Sequence, residues 1–85
     1  MELKAKIRDY IIENFLFGDT APLTDDGISL LDEGIIDSVG VMELVAFLEG
    51  DLELSIDDAE LVPENLDSVD NLVTFVESKR KAGVA

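Results

Sequence analysis

Cysteine and histidine are both absent from this chain of 85 residues. Without cysteine there is no disulfide framework, no thiolate metal site and no thiol nucleophile. Without histidine the commonest general base and the commonest transition-metal ligand are missing, and triads that need either residue are excluded. Positive charge is scarce as well: six bases stand against 20 acids, for a net charge of −14. A polyanion gains little from such a surface, so no nucleic-acid partner is expected. No apolar run reaches the length of a membrane span, and the first residues lack the apolar stretch of a signal peptide. The expected address is the cytoplasm, and the expected state is a monomer.

What is present is an apolar fraction of 47%, enough for a folded chain. A domain of this size buries roughly 60–65% of the surface its unfolded form exposes. The core is therefore thin, with little room for an enclosed pocket that raises a carboxyl pKa, and catalysis is not expected. The bases, Lys4, Lys6, Arg8, Lys79, Arg80 and Lys81, sit at the two ends. Every acid but Glu2 lies between them, in a stretch from Asp9 to Ser78 that holds no base. Such a domain repels itself at low salt, and its surface suits a basic partner. The acids lack the ladder of an EF-hand: Asp25-Asp26-Gly27 is a fragment of one, and no specific metal site is expected.

Leu3, Ile7, Tyr10, Ile11 and Phe15 recur at helical spacing over residues 2–15 and share a face, while Ile12 falls outside it. Residues 16–37 carry the loop signals Gly18, Pro22, Gly27 and Gly34, yet include Leu23, Ile28, Leu30, Leu31, Ile35 and Ile36, which should pin the segment across the helices. Residues 29–33 suit a single helical turn. Asp37 and Ser38, both good N-caps, open a second helix that runs to about Gly50 or Leu52. Its core stripe is Val41, Leu44, Val45, Leu48 and Leu52, with Phe47 on a flank. Val39, Met42 and Ala46 form a second stripe on the far side, beside Glu43, Glu49 and Gly50. Residues 52–56 alternate like a strand but have no visible partner, so they read as an extended loop. Short turns follow near Asp57 and Pro63. A last helix begins near Asp67 or Ser68, carries Val69, Leu72, Val73 and Val76 inward, and is expected to stop at Gly83. Asp67 and Asp70 suit its positive end, and Lys79, Arg80 and Lys81 its negative end. The fold class is all-α: a small antiparallel four-helix bundle, three main helices plus a short third, with a long loop between helices 1 and 2. The chain reads as one domain over residues 1–85.

The segment from Gly34 to Leu44 places a serine hydroxyl at a helix start. Capping alone accounts for Asp37 or Ser38 as residue types. An anion on Ser38 would also sit at the positive end of the helix dipole, and Asp37 offers an oxygen ligand for Mg²⁺.

Asp37-Ser38-Val39 resembles the Asp-Ser-Leu signature of acyl carrier and peptidyl carrier proteins. The likeness extends from Ser29 through Ser38, over Glu43-Leu44-Val45 and Phe47-Leu48-Glu49, to Ser55-Ile56-Asp57-Asp58 and to Pro63 through Val69, which covers nearly the whole chain. The resemblance implies a free-standing carrier rather than an enzyme. It implies a 4′-phosphopantetheine arm, covalently attached to Ser38 from coenzyme A by a phosphopantetheinyl transferase with Mg²⁺, and Asp37 assisting the loading. The arm's thiol would hold an acyl or aminoacyl group as a thioester, which makes the missing cysteine intelligible. Partner docking would fall on Val39, Met42, Glu43, Ala46 and Glu49. The expected partners are an adenylate-forming loading ligase or an acyltransferase, and a downstream synthase or transferase.

Two residues depart from the pattern. Val39 replaces the usual Leu, trimming the docking face, and Gly40 stands where polar residues are common and is expected to admit a partner closely. Both point to a dedicated biosynthetic pathway rather than general fatty acid synthesis. A short acyl chain would tuck between Leu44, Leu48, Val73 and Val76. The rival reading is an unmodified acidic adaptor that binds a basic protein through the same face.

Overall fold

In the computed structural model the backbone is described for residues 2–84 and the side chains for residues 3–80. Helix α1 spans Glu2–Phe15, α2 Ser38–Gly50, α3 Pro63–Leu66 and α4 Val69–Val84, with a 3₁₀ turn at Asp58–Glu60 before α3. No strand forms among the described residues, and residues 52–56 are an extended loop, as their isolation predicted.

Helix α1 buries Ile7 and Ile11 completely and half-buries Leu3, Tyr10 and Phe15. Ile12, expected off the apolar face, is buried too. The reason is that α1 packs against both α4 and α2, so the arc it hides is wider than one stripe. On α2, Leu44 and Leu48 are fully buried and Val45 and Phe47 nearly so, as is Leu52 just beyond its end. Val41, expected in the same stripe, is only half-buried.

Along the connection between α1 and α2, Leu23, Leu30, Ile35 and Ile36 are driven into the core. The expected single helical turn forms: the Glu33 N–H donates to the Ser29 carbonyl at 3.0 Å. Gly34, at a φ of 73°, ends it in the left-handed region that glycine enters without strain. The Ile35 and Ile36 N–H groups then both return to the Leu30 carbonyl, at 3.0 and 3.2 Å.

Asp67 ties this turn to the start of α4. Its carboxylate accepts from the Ser29 hydroxyl at 2.5 Å and from the Leu31 N–H at 2.9 Å. Its carbonyl accepts from the Leu30 N–H at 2.6 Å. Asp67 therefore serves the loop rather than the helix dipole. The buried Ser68 caps α4 instead, its hydroxyl accepting from the Asn71 N–H at 3.0 Å. At the other end α4 does not stop at Gly83 but runs to Val84. A single glycine costs a helix about 1 kcal/mol, too little to break it. The side chain of Lys81 lies outside the described residues.

The bases reach acids far away in sequence. Arg8 pairs with Asp26 at 2.6 Å, Lys4 with Asp26 at 3.2 Å and Asp70 at 3.8 Å, and Lys79 with Glu60 at 2.8 Å. Burial by itself would raise the Asp26 carboxyl pKa. Hydrogen bonds from Arg8 and Lys4, together with their charges, outweigh burial and hold it below its ordinary value. Glu60 is held low by the hydrogen bonds from Lys79 and from the Asp57 N–H.

A depressed native pKa contributes stability that is fully present above the unfolded value, about 3.9 for Asp. It is lost as pH falls through the lower folded value. Asp26→Asn should therefore lower the melting temperature at pH 7, and the gap to wild type should close once the pH is well below the ordinary carboxylate range. A gap that stays constant across that range would contradict the assignment of Asp26 as the ionised centre of the clamp.

Candidate functional site

The first turn of α2 divides its work between two neighbouring residues. Asp37 is the N-cap, with extended backbone (φ −106°, ψ −174°), and its carboxylate accepts from the Gly40 N–H at 2.7 Å. Its carbonyl takes the first helical hydrogen bond, from the Val41 N–H at 2.9 Å. Ser38 is the first helical residue and is exposed. Because Asp37 does the capping, the Ser38 hydroxyl has no hydrogen-bond partner among the described residues. The Ser38 and Val39 N–H groups lie in the part of the helix that has no internal acceptor.

Gly40 is buried, and its neighbour is the protein itself. A Cβ built there would lie 2.9 Å from Phe15 Cε1 and 3.1 Å from Ile36 Cγ2. The close approach expected from a partner is thus made by the end of α1, and the expectation for Gly40 is corrected. Tyr10 completes the junction. Its ring stacks on Phe47 with centroids 4.0 Å apart and meets the edge of Phe15 at 5.9 Å. Its hydroxyl donates to the Glu43 carbonyl at 3.1 Å. Burial, then the carboxylates of Glu43 and Asp51, raise its pKa and keep it a donor. Phe15 beside Gly40 and Tyr10 beside Glu43 make α1 and α2 antiparallel.

The second stripe of α2 faces outward. Val39 is 68% and Met42 57% exposed, and Ala46, Glu43 and Glu49 are exposed with them. Glu49 is partly engaged, accepting from the Ile56 N–H at 3.3 Å. Val39, Met42, Glu43, Ala46 and Glu49 therefore share the solvent side of α2, where their wheel positions put them, and Asp37 and Ser38 are exposed at its start.

Of the four residues expected to line a space for a short acyl chain, Leu44, Leu48 and Val76 are fully buried and Val73 is half-buried. An apolar cavity of about 110 Å³ lies between Leu31, Val41, Leu61, Val62, Pro63 and Leu66. This is why Val41 is only half-buried. No group of three acids that could hold a metal ion occurs among the described residues. No described helix is long and apolar enough to cross a membrane.

No protein-family model matches the chain. It is 32% identical over 75 residues to the probable acyl carrier protein PigG of Serratia sp. (strain ATCC 39006), covering 88% of this chain and 85% of that one. It is 28% identical over 82 residues to the D-alanyl carrier protein of Streptococcus sanguinis (strain SK36), covering 96% of this chain and all of the relative. The chain belongs to the acyl carrier protein family. It carries an acyl or aminoacyl group rather than catalysing a reaction, and the unmodified-adaptor reading finds no support.

The junction at Gly40 makes a direct test. Alanine would gain about 0.5–1 kcal/mol in helix propensity but must push Phe15 and Ile36 aside, at about 1–3 kcal/mol. Gly40→Ala should therefore be net destabilising in a urea titration. In a Phe15→Ala background the same change should become neutral or stabilising. A stabilising Gly40→Ala in the wild-type background would show that α1 does not press on this turn.

Proposed function

We propose that Ser38 is the attachment point of a 4′-phosphopantetheine arm and that Asp37 assists its loading. The observation that carries this is the exposed Ser38 hydroxyl, left without a partner because its neighbour caps the helix. The residues present fit the group. A phosphodiester on Ser38 Oγ would lie at the positive end of α2, close to N–H groups that have no internal acceptor. One carboxylate oxygen of Asp37 is held by the Gly40 N–H, and the other is left for the Mg²⁺ that accompanies coenzyme A. The transferase would form one bond between Ser38 Oγ and the pantetheine phosphate, and adenosine 3′,5′-bisphosphate would leave. The bound arm supplies the thiol that this chain lacks. The chain's own part is to present Ser38 and to be recognised.

Recognition falls on Val39, Met42, Glu43, Ala46 and Glu49. Apolar contact in the middle and carboxylates at the rim suit enzymes with a basic docking face. The two relatives, named as carrier proteins, support a discrete carrier. In this reading it is loaded by an adenylate-forming ligase or an acyltransferase and unloaded by a synthase or transferase of a dedicated cytoplasmic pathway.

Incubation with a broad-specificity phosphopantetheinyl transferase, coenzyme A and Mg²⁺ should raise the intact mass by one phosphopantetheinyl group. Ser38→Ala should stay at its unmodified mass. Labelling of Ser38→Ala would place the attachment elsewhere.

A further inference from the structure

Phe17 is 92% exposed and sits at a φ of 55°. Both properties are unfavourable. A large aromatic ring left in water forgoes its burial, and a bulky residue in the left-handed region is strained. The turn itself does not need the ring. The Gly18 N–H donates to the Ile12 carbonyl at 2.9 Å and the Asp19 N–H to the Leu16 carbonyl at 2.9 Å, and glycine at position 17 would close the same turn without strain. Strain that the fold does not require is a pointer to function.

The position of Phe17 says which function. Phe15, two residues back, abuts Gly40 and Ile36. A trans chain advances at most about 3.6 Å per residue, so the Phe17 Cα lies within about 7 Å of the Phe15 Cα. Phe17 therefore stands at the same end of the bundle as the first turn of α2, which Ser38 opens. Asp19 follows two residues on, in a stretch from Asp9 to Ser78 that holds no base, whereas Lys4 and Arg8 are drawn to Asp26 near the opposite end of α1.

Resting on the reading of Ser38 above, we propose that Phe17 is a docking anchor for the phosphopantetheinyl transferase. An enzyme that holds coenzyme A must surround its phosphates with cations, so the face it brings to Ser38 is basic. An apolar pocket within that face would complement an aromatic ring exposed on a stretch that carries acids and no base. The anchor lies at the end of α1, apart from Val39 and Met42, so the enzyme would straddle the start of α2 and not rest on that helix alone.

The test is the loading rate of wild type, Phe17→Gly and Phe17→Tyr with the transferase, coenzyme A and Mg²⁺, beside their melting temperatures. Phe17→Gly should lower kcat/KM roughly 30-fold, mostly through KM, as loss of an aromatic hot spot does. Its melting temperature should be unchanged or higher, because strain is relieved. Phe17→Tyr should load nearly as wild type. A structural role would instead lower the melting temperature and would overturn the proposal. So would equal loading of wild type and Phe17→Gly, which leaves the Ser38 reading intact. A wild-type chain that is never labelled would overturn the Ser38 reading, and this proposal with it.

Discussion

The hydrogen bond from the Gly40 N–H to the Asp37 carboxylate, at 2.7 Å, decides what the rest of the molecule can do. It starts α2 at Ser38 and supplies the helix with its cap. A serine in the cap position would have turned its hydroxyl back onto the helix, as Ser68 does at the start of α4. One residue later, the same chemical group faces water. The missing side chain at Gly40 lets Phe15 and Ile36 close on this turn, so the cap is braced from behind by α1 and by the incoming loop. An exposed hydroxyl thus stands on a rigid support.

Delivering Asp37 to that point is the task of the connection from α1. Its apolar residues supply the burial, and Asp67 fixes its register by taking three hydrogen bonds from Ser29, Leu30 and Leu31. The scarce cations act on loops as well. Lys4 and Arg8 hold Asp26, and Lys79 holds Glu60, the last residue of the 3₁₀ turn. With 20 acids and six bases, most carboxylates stay free of such partners. The free carboxylates include those around the outer stripe of α2, where a basic enzyme would find them.

Helical periodicity made α1, α2 and α4 legible, and loop signals with Pro63 made the short α3 legible. The outward stripe of Val39, Met42 and Ala46 followed from the same wheel. Asp37 and Ser38 were recognisable as a helix start, but their order of duties was not, since both residue types cap well. The loop bonds of Asp67 were not legible because its carboxylate's partners lie 36 and 38 residues away, a separation that leaves no local pattern. Gly40 was misread for a similar reason: a glycine declares that something comes close without saying what. The breadth of the buried face of α1, and so the place of Ile12, depends on having two neighbouring helices. The strain at Phe17 is a backbone property, marked in the sequence only by the following Gly18.

The central claim is that Asp37 serves the fold and thereby frees Ser38 for chemistry. Urea titration of Asp37→Ala and Ser38→Ala tests it most directly. Asp37→Ala should cost about 1 kcal/mol, the usual loss for an N-cap, and Ser38→Ala should leave stability unchanged. Equal destabilisation by Ser38→Ala would mean that the hydroxyl is engaged in holding the helix and is not free.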